Sequence, residues 1–98
     1  MKTAHELRKL DGPNDARLYR LSHPVRYGNG GDRTRTVIVS AAVVPFMGPE
    51  TYIFPTNDEG DVLDWGELEG SFRGGLDHEA ALRGAGYTLM VPGAEVGQ

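Results

Sequence analysis

The chain has 98 residues, no cysteine and a formal net charge of −4, and 39% of its residues are hydrophobic. That length holds one small domain with one core, and it excludes a core plus an enclosed active-site cavity of any size. The lack of cysteine excludes a disulfide framework and a thiolate metal site, which suits a cytoplasmic protein held together by burial alone.

Thr3 with Glu6 three residues on has the form of a capping box, and Leu7 and Leu10 lie one helical turn apart. Residues 4–10 are therefore predicted as a short helix within a flexible N-terminal segment, 1–15. Asp11, Gly12, Pro13 and Asn14 break the chain, and 16–92 is read as a single α+β domain. Over 17–27, Leu18, Tyr19, Leu21, Val25 and Tyr27 mix with Arg17, Arg20 and Arg26 as in a half-buried strand. Pro24 makes that strand an edge or breaks it.

Gly28, Asn29, Gly30, Gly31 and Asp32 form the strongest turn signal in the chain and predict a hairpin. The return strand, about 33–44, starts amphipathic and becomes apolar on both faces from Val37 to Val44, as a central strand does beneath a helix. Pro45, Gly48 and Pro49 make the next turn, and 50–54 is a short aromatic strand. Asn57, Asp58, Glu59 and Gly60 read as a type I turn closing on a glycine with positive φ, so Val62, Leu63 and Trp65 complete a second hairpin.

Asp77 is a good N-cap for a helix from His78 to about Gly84, with Glu79 complementing its N-terminal dipole. Residues 87–91 supply a last strand, and 93–98 read as a disordered tail. The sum is an α+β domain: a largely antiparallel sheet of about five short strands, ordered hairpin, hairpin, helix, strand, with the helix packed on one face. Leu21, Val37, Val39, Ile53, Trp65, Leu82 and Leu89 are the expected core. One helix covers one face of a two-faced sheet, so a homodimer is expected.

Charge is divided along the chain. Eight of ten basic residues lie in the first 35 positions against four acids, a net of +4; the remainder carries two basic and ten acidic residues, a net of −8. Asp58, Glu59, Asp61, Asp64, Glu67 and Glu69 follow one another with no Lys or Arg between them. Such a cluster attracts basic partners and repels nucleic acid, and it is the candidate partner-binding surface. Arg17, Arg20, Arg26, Arg33 and Arg35 flank the first hairpin as a candidate basic strip, with Tyr19 and Tyr27 as stacking partners if the ligand is nucleic acid. A pI near 5.2 makes nucleic acid the weaker reading.

No catalytic residue, metal ligand set or cofactor motif is expected. His5, His23 and His78 never fall at i, i+4 on one helix, and Gly28–Gly31 lacks the following Lys and helix of a phosphate loop. Aligning Gly60 with the sixth place of a calcium loop puts Pro55 first and Gly66 twelfth, where ligands are required. Ser22, Ser40 and Ser71 have no His and Asp arranged nearby as a triad would need. The longest apolar run, 37–46, is about half the length of a membrane helix, and the opening residues, with His5, Glu6 and Arg8 dispersed among them, do not form a signal peptide.

The string Glu50-Thr51-Tyr52-Ile53-Phe54-Pro55, the Gly60 turn, Trp65-Gly66-Glu67-Leu68, Gly70-Ser71-Phe72-Arg73-Gly74-Gly75, Asp77-His78 and Ala81-Leu82 to Ala85-Gly86-Tyr87 resembles a family of short proteins of actinobacteriophages and their hosts. The resemblance spans roughly 19–91. It implies a small accessory phage protein made in the bacterial cytoplasm and transfers no catalytic residues; the leading expectation is a non-enzymatic protein that binds a protein partner, in that context a host factor. Self-association as an assembly protein and nucleic-acid binding through the arginine hairpin are the alternatives.

Overall fold

The computed structural model describes residues 2–12, 14–28 and 31–90. Strands β1 (Thr3–Leu10), β2 (Asp15–Tyr27), β3 (Asp32–Val44), β4 (Gly48–Thr56) and β5 (Phe72–Arg73) precede helix α1 (His78–Gly84) and strand β6 (Thr88–Met90). They make one six-stranded sheet in the order β5-β4-β3-β2-β1-β6, an α+β arrangement. The tail 93–98 lies outside the described residues, as does Val91, the expected end of the last strand.

The sheet is antiparallel in four of its five pairings but mixed, it has six strands where about five are expected, and two of them are long. β1 to β5 pair with antiparallel neighbours, whereas β6 joins β1 in parallel, with Thr3, Ala4 and His5 opposite Thr88, Leu89 and Met90. Parallel pairing requires a crossover. The chain makes it through α1, which carries it from β5 at one edge to β6 at the other.

The N-terminal helix expected over 4–10 is strand β1. A seven-residue helix is marginal in isolation, whereas the same residues as a strand satisfy their backbone groups against both β2 and β6. A bulge between Glu6 and Arg8 breaks the alternation there and leaves Leu7 exposed. The first hairpin, β2 with β3, forms as its turn signal indicates, although a register shift falls between Arg20 and Val25, around Pro24. The second hairpin does not form as read. Its turn closes on Gly60 at φ 92°, but the return is a single bridge between Val62 and Thr56. Asp64 and Gly66 explain the failure, because the Asp64 carboxylate accepts the Gly66 N–H at 2.7 Å and bends the chain out of the ladder.

Helix α1 begins where Asp77 caps it, its carboxylate accepting from Ala80 N at 3.0 Å. Ala81 and Leu82 face inward onto Tyr19, Leu21, Val37, Val39 and Ile53, and Ala4 and Tyr87 close the cluster. Of the expected core, Leu21, Val37, Val39, Ile53 and Leu82 are buried and Leu89 is half-buried against them. Trp65 is not core: it is 75% exposed.

Beneath the start of α1, His78 is held from both sides. Its Nε2 lies 2.9 Å from the Asp15 carbonyl, which only accepts, so Nε2 carries the proton and Nδ1 accepts from the Tyr19 hydroxyl at 2.9 Å. Burial pushes the Tyr19 phenol up to about 12, with Glu6 adding to the effect, so it remains a donor. Burial also lowers the His78 pKa from its ordinary value, against the opposing pull of Asp15. A group whose pKa is lower when folded binds protons more readily when unfolded. Its contribution is therefore full above pH ~6.5, the unfolded value, and is lost as pH falls through that value toward the folded one. Melts between pH 7.5 and 5.5 should show a falling midpoint that His78→Gln flattens; parallel slopes in both proteins would contradict this assignment.

Candidate binding groove

The two sheet faces are covered unequally. α1 lies on the face carrying Tyr19, Leu21, Val37, Val39 and Ile53. On the opposite face, part of the surface is covered by the turn after β4. Arg20 pairs with Asp58 at 3.1 Å, the Thr36 hydroxyl donates to the same carboxylate oxygen at 3.1 Å, and Arg8 donates to the Glu59 carbonyl at 2.7 Å. These contacts draw Gly60 onto Leu18, which is buried.

Past that turn the face over β3 and β4 has no cover among the described residues. It forms a groove of about 360 Å³ floored by Ile38, Ala42 and Val44 of β3 and by Tyr52 and Phe54 of β4. Val62 and Trp65 line it from the segment after the acidic turn, and Ser40, Asn14 and Glu50 add polar groups. Tyr52 stacks on Phe54 with centroids 6.1 Å apart, and Phe54 meets the edge of Trp65 at 5.4 Å. The residues of the floor are half-buried, and Trp65 is exposed.

The hairpin joining β3 to β4 ends the same face. Met47 N donates to the Val44 carbonyl at 3.0 Å, closing a turn in which Phe46 takes φ 68°. A phenylalanine in the left-handed region is strained by roughly 1–2 kcal/mol. Here it stands fully exposed beside an exposed Met47.

The six acidic candidates are divided. Asp58 is engaged by Arg20 and Thr36, and Asp61 accepts from the Asn57 amide at 3.2 Å. Asp64 precedes Trp65 in the chain but does not line the groove; with Glu67 and Glu69 it lines a second, polar depression of about 430 Å³ together with Arg26 and Tyr27. Glu59 is exposed at the turn.

The five arginines do not share one strip. Arg17 lies on the helix side, bonded to Glu6 at 3.3 Å and Asp15 at 3.2 Å, whereas Arg20 points to the other face. Arg26 sits directly opposite Arg33 in the β2–β3 ladder, and Arg35 is exposed on β3. Tyr19 is buried in the core and is not free to stack on a base.

Glu50, Tyr52 and Phe54 were legible as a strand but not as a site. The signal was their alternation, which places the carboxyl and both rings on one face. Among the described residues no group of three or more His, Cys, Asp or Glu is arranged to hold a metal ion, and no helix is long and apolar enough to cross a membrane. No protein-family model, curated protein or solved structure matches the chain.

Proposed function

We propose that this domain is a non-enzymatic binding module that captures a protein partner in the aromatic groove on its helix-free sheet face. One observation carries the reading: Trp65, the chain's one tryptophan, is held 75% exposed at the wall of an apolar groove, with Asp64 just before it and Glu67 two residues after it in the chain. Exposed tryptophans of this kind are typical anchors of interfaces. The acidic residues 58–69 then serve as a rim that steers a basic partner, with Asp64 and Glu67 its members nearest Trp65 in the chain. The resemblance to small actinobacteriophage proteins supports a host factor as that partner, met in the bacterial cytoplasm.

Selection of random displayed peptides tests the reading. Wild-type protein should enrich sequences with an apolar anchor, and an Ala42→Arg variant, which fills the groove floor, should enrich none of them. Equal enrichment by both proteins would overturn it.

Exposed Phe46 and Met47 favour a second reading, in which two copies meet through this face as a homodimer. Light scattering across a dilution series separates the two. Arg17 paired with Glu6 and Asp15, Arg20 paired with Asp58 on the other face, and Tyr19 buried leave nucleic acid the weakest alternative.

A further inference from the structure

Glu50 is the one buried carboxyl among the described residues, 4% exposed; it lines the groove, and its Oε2 is closed off from solvent beside Arg73. A buried carboxylate is costly unless its oxygens are paired. Oε1 accepts from the Tyr52 hydroxyl, but Oε2 accepts no hydrogen bond. Arg73 Nε lies 3.2 Å from Oε2 and meets it as an ion pair only, out of line for a hydrogen bond. The Arg73 side chain is largely exposed, on the two-residue edge strand β5, and its guanidinium lies 5.8 Å from the centre of the Tyr52 ring. The chain thus already places a guanidinium between a carboxylate and an aromatic face at the groove's end, held by a pair whose arginine side is exposed and whose carboxylate is buried.

We propose that the groove takes an arginine side chain of the protein partner, its guanidinium on Glu50 Oε2 in place of Arg73. This deepens the proposed function and rests on it. The planar guanidinium is weakly hydrated and stacks on aromatic faces, which Tyr52, Phe54 and Trp65 provide, and a lysine ammonium loses more hydration for less contact. The arginine's apolar stem lies over Ala42 and Ile38, and the protein's net charge of −4 favours approach of a basic segment.

N-acetyl-arginine amide, its lysine counterpart and the neutral isostere N-acetyl-citrulline amide are titrated into the full chain. Fluorescence of the single tryptophan and backbone amide shifts are read together. The arginine probe should saturate in the millimolar range, with the citrulline and lysine probes at least about 5-fold weaker. Glu50→Gln, which keeps the Tyr52 contact, should erase the preference over citrulline, and Arg73→Ala should tighten arginine binding because the internal competitor is gone. Equal binding of arginine and citrulline, lysine equal to arginine, or a weaker arginine response in Arg73→Ala would each overturn the proposal. If displayed peptides seat in the groove through apolar anchors with no arginine enriched, this inference fails and the proposed function stands. If no peptide is enriched at all, both fail.

Discussion

Replacing Gly70 with alanine is expected to destabilise the fold by roughly 3 kcal/mol and to lower the melting midpoint by roughly 10–20 °C. Gly70 takes φ 107°, where a Cβ is strained by about 1–2 kcal/mol before any neighbour is met. That Cβ would also overlap the Ala81 carbonyl oxygen and stand 2.9 Å from Ala85 N, and both are backbone atoms of the helix end that cannot swing aside. Neither can the loop retreat. Ser71 Oγ accepts from Ile53 N and donates to the Leu68 carbonyl, both at 2.9 Å, while Leu68 N donates to the Ile53 carbonyl at 2.8 Å, fastening the loop to β4. Gly74 is the control: its φ is 102° but its Cβ would meet nothing within 4 Å, so Gly74→Ala should show the conformational part alone, about 1–2 kcal/mol. Equal losses in the two variants would show that close packing of the loop on α1 is not what Gly70 provides.

Trp65→Ala is expected to separate binding from stability. A core tryptophan would lose 3–5 kcal/mol on truncation. At 75% exposure, with one edge contact to Phe54 at 5.4 Å, the loss should stay near 1 kcal/mol. Affinity for a groove-selected peptide should instead fall by about 2 kcal/mol or more, roughly 30-fold, as at an interface anchor. A large fall in the melting midpoint with unchanged peptide affinity would return Trp65 to a structural role. Chemical denaturation and a fluorescence anisotropy titration on one preparation measure both quantities.

Local chemistry explains which parts of this fold the sequence reveals. Asp77 and Gly86 bracket α1, the glycines at 28–31 announce the β2–β3 hairpin, and the Asn57–Gly60 turn closes as its residue types require, since each signal is a property of a few adjacent residues. β1 was hidden because its strand character comes from two partners distant in sequence, one of them only three residues long, while Thr3, Glu6, Leu7 and Leu10 locally favour a helix. The groove was hidden for a related reason. Tyr52, Phe54 and Trp65 look like core residues on hydrophobicity alone, and whether a sheet face is covered depends on which side α1 crosses, which no local pattern encodes. The acidic run was visible, but its division between Asp58, engaged by Arg20, and Asp64, beside Trp65, required the turn to be seen folded onto β2.

Where a partner seats decides whether the helix-free face is the binding surface. Amide and side-chain shifts of the labelled protein, followed while a selected peptide is added, answer this directly. Perturbations are expected at Ile38, Ala42, Tyr52, Phe54 and the Trp65 indole, with Ala81 and Leu82 on the far side of the sheet unmoved. Shifts confined to α1, or to the exposed arginines Arg26, Arg33 and Arg35, would contradict the claim that the helix-free face is the binding surface.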